Sequence, residues 1–366
     1  MTDGAHRKAC DDDTQDLIPT MKGLQSPRDA AFKPINIIKR VSEHRPVTVA
    51  GPMVRYSKLP FRETCRHFGV DIVYTPMILA REFVRNDMAR LSDYTTNQRD
   101  QCVVAQVGAN NVEDFVRFCD MIHPYVDGVG LNCGCPIRDQ VREGIGAALM
   151  TKPELVADMV RAVKTKYGDK LCVETKIRIH WDLEETVRFA RGVEAAGVDY
   201  ITVHGRTKNT RSSVPVNLEA IKLVKSSVSV PVIANGDCFS VEDCQRIAEY
   251  TKVDGVMSAR GVLANPALFA GYKATPWSAI EVLLDAALAY GLSFRLLQHH
   301  VSQMADKLLP KSYMRQLHSL KSNIELIDWL DEHFIVHRKH DPGFGTAVAV
   351  PWRPGKEPQP EPESQG

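Results

Sequence analysis

No run of apolar residues in this chain of 366 approaches the ~18 needed to cross a bilayer, so no membrane partner is expected. The N-terminus lacks the apolar core of a secretory leader, and the acidic triplet Asp11-Asp12-Asp13 argues against a basic, acid-poor mitochondrial transit peptide. Charge of one sign is not in excess: 46 Lys and Arg stand against 45 Asp and Glu, for a net +1. Overall charge therefore makes no case for nucleic acid, and any such contact has to come from a local patch. Nine cysteines are present, but odd in number and without the rhythm of a disulfide scaffold. A reducing compartment is the expectation, the cytoplasm first and the nucleus as the alternative. No metal is expected. A Gly-x-Gly-x-x-Gly turn after the first apolar run, the mark of an open dinucleotide-binding sheet, is also missing.

What is present is an alternation. Eight short, mostly apolar and β-branched runs each end in Gly, Pro or polar residues: 47–50, 71–74, 103–107, 128–134, 172–178, 200–206, 231–237 and 255–261. Such runs read as buried strands. Helical stripes fill the gaps, at Glu154 to Val163 behind Pro153, at Leu183 to Ala196 and at Leu218 to Val224. Eight β-then-α units predict a (β/α)₈ TIM barrel over residues 46–273. Helices alone follow. Trp277 to Leu288, Phe294 to Leu309, and a long amphipathic face from Met314 to Phe334 define a small C-terminal all-helical domain over 274–336. Residues 1–45 and the Pro/Gly/Glu-rich 337–366 are expected to be solvated tails, since that composition buries too little surface to fold.

In a barrel the C-terminal strand ends share one site. Those ends carry Met53, Gln106, Asn132 to Cys135, Lys176 with Arg178, His204 with Arg206, Asn235 to Asp237, and Ala259 to Gly261. Each has a bland explanation on its own: a packed thiol, a satisfied histidine, a turn. Their fall at the ends of seven separate strands is harder to assign to chance. The hypothesis is that Cys135 donates a proton in a pocket where Asn132 orients the substrate. Asn235-Gly236 and Ala259-Arg260-Gly261 suit the phosphate site that barrels build after their last two strands. Lys176 and His204 would then lend positive charge to a ring system such as a reduced flavin. For the thiol to act as an acid its pKa must not be strongly depressed. Cys133 reads as a packed thiol.

Several motifs are in order: Gly51-Pro52-Met53, Asn132-Cys133-Gly134-Cys135-Pro136, Gly144-Ile145-Gly146-Ala147-Ala148-Leu149, Lys176-Ile177-Arg178, Val203-His204-Gly205-Arg206-Thr207, Ala234-Asn235-Gly236-Asp237 and Ala259-Arg260-Gly261. Together they resemble the tRNA-dihydrouridine synthases, over about residues 47 to 335. Pro52 to Ser57, Tyr74 to Met77, Phe83 and Leu263 to Ala267 resemble the eukaryotic branch acting on positions 20a and 20b. Ser212 to Asn217, with neither the Gly nor the Trp that many members carry there, fits that branch.

The resemblance implies an FMN enzyme that uses NADPH or NADH to reduce the C5=C6 bond of a tRNA uridine. Hydride would pass from FMN to C6 and a proton from Cys135 to C5. It implies FMN contacts at Pro52, Met53, Val54, Gln106, Lys176, His204, Asn235, Gly236, Asp237, Ala259 and Arg260, and uracil contacts at Asn132 and Arg178. The helical domain would grip tRNA, with Lys311 and Arg315, one turn apart, placed for phosphate. A monomer is expected. Two rival readings remain at this stage. One is a flavin barrel reducing a free pyrimidine or another small enoyl compound; the other is a non-catalytic tRNA-binding protein. Activity on free uracil would favour the first, and absence of flavin absorbance the second.

Overall fold

The computed structural model describes residues 29–358. Nine parallel strands form one sheet: β1 (Val47–Ala50), β2 (Ile72–Tyr74), β3 (Ile78–Leu79), β4 (Val103–Gly108), β5 (Gly128–Cys133), β6 (Cys172–Arg178), β7 (Tyr200–His204), β8 (Val232–Asn235) and β9 (Gly255–Ser258). β1 pairs with β2 and β9, neighbours pair in order from β4 to β9, and β2 pairs with β4. The sheet therefore closes on itself as an eight-strand barrel, with β3 a short extension alongside β4. Thr75-Pro76-Met77 separates β2 from β3, as expected where proline removes a ladder donor. All eight expected runs are strands. The helices Pro153–Tyr167, Leu183–Ala195 and Leu218–Ser227 lie where the stripes placed them.

Two layers of core follow from the pleat. Outward residues such as Val129, Leu131, Cys133 and Ile177 pack with the helices. Inward residues Val49, Tyr74, Val104, Tyr200 and Met257 fill the barrel.

Both presumed tails differ from expectation. Pro34–Ser42 is a helix that buries Ile37 and Ile38 in the barrel-interior cluster. Each buried isoleucine stabilises by about 1.5–3 kcal/mol; the helical spacing of Ile37, Ile38 and Val41 is what the tail reading overlooked. Residues 337–358 are also held. Trp277 and Ser278 N–H groups donate to the carbonyls of Val348 and Ala347 at 3.1 and 2.7 Å. The buried Glu281 carboxylate accepts from the N–H groups of His337 and Gly345. Trp352 packs on Phe334, ring centroids 4.8 Å apart. Average composition misses such segments, because a few apolar and hydrogen-bonding anchors suffice. The parts of both expected tails at 1–28 and 359–366 lie outside the described residues.

The C-terminal helices are Trp277–Ala289, Phe294–Ala305, Lys311–Ser319 and Asn323–His333. The single long face expected from Met314 to Phe334 is thus two helices. Ser322 starts the second one: its Oγ accepts from Glu325 N–H, and the Glu325 carboxylate reaches back to Lys321 N–H, a local reward for breaking the chain there.

His300, on helix Phe294–Ala305, joins this domain to the barrel. It is fully buried, stacked on Phe61 at 5.0 Å, with Tyr56 edge-on. Burial, helped by neighbouring His299, pushes its pKa down to about 4. The unfolded chain therefore binds a proton there from about pH 6.5 downward while the folded one does not. Stability present above that pH is lost on acidification, by up to about 1.4 kcal/mol per pH unit. Between pH 6 and 4.5 the melting temperature of His300→Leu should fall less steeply than that of the native chain; parallel slopes would contradict this.

Candidate active site

Backbone register builds the site before any side chain is considered. Across the sheet Asn132 lies beside Lys176, Arg178 beside His204, and His204 beside Asn235. The pleat sends Glu174, Lys176 and Arg178, spaced by two on β6, to one face. That face is the barrel interior, rising towards its C-terminal mouth.

Asn132 is the hub around the thiol. Its Oδ1 accepts from the N–H groups of Gly134 and Cys135 at 3.0 and 2.9 Å, and its Nδ2 donates to Gln106 Oε1 at 2.9 Å. The side chain expected to orient substrate is thus largely committed to fixing the Cys135 turn. Ala147 N–H donates to the Cys135 carbonyl, and Arg178 Nε to the Gly134 carbonyl, at 2.9 and 2.7 Å. Arg178 Nη1 also donates to Thr207 O. Cys135 is half-buried. Burial pushes its thiol pKa up, opposed by a hydrogen bond at Ile137 and by Arg178 and Lys176. The group is a thiol at neutral pH, as an acid must be, with two cations nearby for the thiolate left after proton transfer. Cys133 is fully buried on the opposite face of β5, a packed thiol.

Lys176 Nζ donates to Asn235 Oδ1 at 2.8 Å, and Asn235 Nδ2 to Met257 O at 3.0 Å. Below Lys176 sits Glu174, fully buried. A Cβ at Gly130 would lie 2.3 Å from Glu174 Oε2, so only glycine leaves space for this carboxyl. Burial raises the Glu174 pKa and lowers that of Lys176. Tyr74 and Tyr200 hydroxyls meet at 2.7 Å beneath the pair. Sequence reasoning passed over Glu174, although an acid in the middle of an apolar strand was the available signal.

His204 does not carry the positive charge expected of it. Burial first, then Lys176, Arg178, Arg206 and Arg260, push its pKa down to about 2, so the ring is neutral. Arg206, 3% exposed, donates to both oxygens of Asp237 at 2.7 and 2.6 Å and to the carbonyls of Val214 and Ser212. Asp237 also accepts from Arg260 at 3.1 Å and from Val216 N–H at 3.0 Å. Its carboxylate is therefore spent on organising the loop 212–216 and two arginines, and Arg206 is the member of this cluster left without a role at the start. Ala259 follows β9 directly, and Arg260 lies over the Phe239 ring at 5.2 Å. Pro52 and Met53 turn the chain after β1, with Met53 N–H donating to Ser57 Oγ at 2.9 Å. Val54 is 42% exposed and has no polar tie to the rest.

These residues fit a phosphorylated flavin. Gln106 Nε2 is buried with no hydrogen-bond partner, a donor waiting for an acceptor. Gly236, at φ +123°, has no room for a side chain: a Cβ would lie 2.3 Å from Val216 Cγ1 and 3.2 Å from the His204 ring, so only glycine lets the strand end turn tightly between them. Lys176 and Arg260 supply cations on the same mouth. Among the described residues no cluster of three or more His, Cys, Asp or Glu could hold a metal, and no helix is long and apolar enough to cross a membrane.

A closed parallel barrel with a proton-bearing thiol, a half-buried lysine and a tightly packed glycine turn at the C-terminal strand ends defines a (β/α)₈ oxidoreductase-type site. The dihydrouridine synthase (Dus) family profile matches residues 48–327, and the chain belongs to that family. It is 54% identical over 344 residues to the tRNA-dihydrouridine(20a/20b) synthase, NAD(P)+, of Saccharomyces cerevisiae, covering 92% of this chain and 93% of that protein. The Schizosaccharomyces pombe protein of the same name is 46% identical over 321 residues, 88% of this chain and 98% of the relative. A human protein named as like these synthases is 44% identical over 289 residues, 79% of this chain and 91% of the relative.

Proposed function

We propose that this chain reduces uridine to 5,6-dihydrouridine at positions 20a and 20b of tRNA, with FMN as cofactor and NAD(P)H as reductant. The observation that carries the reading is the Cys135 thiol, held protonated by burial and fixed by Asn132 on a turn flanked by Lys176 and Arg178. FMN, when bound, would supply hydride chemistry toward C6 of the uracil. Gln106, Lys176, Asn235, Gly236 and Arg260 hold that cofactor. Neutral His204 acts as a hydrogen-bonding group rather than as a charge. Cys135 Sγ delivers its proton to C5, and the resulting thiolate is stabilised by Arg178 and Lys176 until it is reprotonated. Arg178, with its guanidinium at the Cys135 turn, and the remaining Asn132 amide hydrogen face the uracil.

The target uridine leaves the tRNA stack to reach the mouth. Lys311 and Arg315 are exposed on one helix of the C-terminal domain and serve phosphate contact. The chain acts as a monomer and works in the cytoplasm or nucleus. Mapping dihydrouridine in tRNA from cells lacking this protein should show its loss at 20a and 20b and its return with the native gene. Unchanged dihydrouridine at both positions would sink the assignment.

A further inference from the structure

The loops that follow the strands form the rim of the mouth, and they share an unusual composition. Segments 51–58, 134–145, 179–182, 205–217, 236–240 and 259–260 hold eight Lys or Arg against four Asp or Glu. The whole chain has a net charge of only +1, so these segments carry a net +4 while the remainder of the chain carries −3. One of the four acids, Asp237, is already paired with Arg206 and Arg260. The loop 205–217 has three cations and no acid. The same loops expose large apolar side chains: Val54, Ile137, Trp181, Val214 and Phe239 are each more than 40% exposed.

Trp181 is the extreme case, at 94% exposed. It lies three residues beyond Arg178, in the turn between β6 and helix Leu183–Ala195. That turn is pinned on both sides. His180 Nε2 bonds the Met150 carbonyl at 2.8 Å, and His180 N–H donates to the buried Thr186 Oγ1 at 2.8 Å. Asp182 caps the helix, accepting from Glu184 N–H at 2.9 Å. Ile179 is buried. The backbone is therefore held while the indole projects into solvent. A fully exposed indole on a fixed turn contributes little to folding; beside a cationic rim it has the character of a stacking platform for nucleic acid.

We propose that the Trp181 indole stacks on a tRNA base outside the uracil pocket, at the rim of the barrel mouth. The inference rests on the tRNA reading above and adds to it a specific contact. A base flanking the extruded uridine is unstacked on one side, and the indole replaces its lost neighbour. Lys208 and Arg211 on the adjoining loop neutralise the phosphates that come with it. Fixing the turn in advance lowers the ordering cost of binding.

The chain has four tryptophans. Trp277 and Trp329 are buried and Trp352 is half-buried, so Trp181 is the one an RNA base can cover. Titrating the FMN-loaded protein with tRNA should quench tryptophan emission, and Trp181→Phe should abolish that change. Trp181→Ala should raise the KM for tRNA about tenfold, with kcat at saturating tRNA within about twofold. Trp181→Phe, which keeps a ring, should restore most of the KM. An unchanged KM in Trp181→Ala, or the same quenching in Trp181→Phe, overturns the inference and leaves the indole to a protein partner. Should the native protein form no dihydrouridine in tRNA at all, the parent reading falls and this one with it. Should it form dihydrouridine while Trp181→Ala binds tRNA normally, only this inference falls.

Discussion

Cys135→Ala should lower dihydrouridine formation by at least about 100-fold, the range in which a positioned general acid operates. The protein should nevertheless remain yellow with FMN and still oxidise NADPH. The separation follows from the geometry. Cys135 is tied to the Asn132 and Ala147 side of the mouth, while the groups that fit the cofactor converge from β4, β6, β7, β8 and the turn after β9. Removing one sulfur deletes the proton and leaves the cradle. Serine would keep a hydroxyl at the same place, but its much higher pKa makes it a poorer acid, so Cys135→Ser should be close to alanine. Tracing dihydrouridine in tRNA alongside NADPH absorbance separates the two half-reactions. Undiminished tRNA reduction by the alanine variant would remove the thiol from the mechanism.

Asp237→Ala should cost about 3 kcal/mol of stability, the lower part of the range for stripping the partner from a buried charge. Arg206 is 3% exposed and would keep the carbonyls of Val214 and Ser212 but lose its only carboxylate. Asp237 is about a quarter exposed, which places the cost below the upper limit. Val216 N–H and Arg260 lose an acceptor in the same step. The wall that Val216 makes against Gly236 should then loosen, so FMN should wash out on gel filtration more readily than from the native protein. Calorimetry and the flavin-to-protein absorbance ratio read the two effects. A melting temperature and flavin content equal to those of the native chain would mean that the carbonyls alone satisfy Arg206.

Both predictions concern groups that the sequence treated unequally. Cys135 was visible because it stands with Asn132 at the end of an apolar strand, where a barrel keeps its chemistry. The eight strand runs were visible because a parallel barrel strand is buried on both faces and reads as continuous Val, Ile and Ala. The order of the strand-end residues Gln106, Asn132, Lys176, Arg178, His204 and Asn235 followed from the same pattern. Arg206 and Asp237 were also in view, but as separate strand ends. Nothing local says that two residues 31 apart in the chain, with a loop, a helix and β8 between them, come together as an ion pair.

What the sequence determined by itself was therefore the number and order of the β/α units, the end of the barrel that carries chemistry, and the family. Those are written in periodicity and in residue identities at strand ends, which are local properties. Only the tertiary structure decided the charge state of His204, because it buries the ring and then gathers Lys176, Arg178, Arg206 and Arg260 around it. It alone placed Glu174 beneath Lys176, in space left by a glycine on the neighbouring strand. It showed that Asn132 also braces the Cys135 turn, leaving one amide hydrogen for substrate, and it seated Ile37, Ile38 and Trp352 against surfaces elsewhere in the chain. Electrostatics and packing depend on what lies opposite a side chain, and in a closed barrel the opposite residue comes from a strand many tens of residues away.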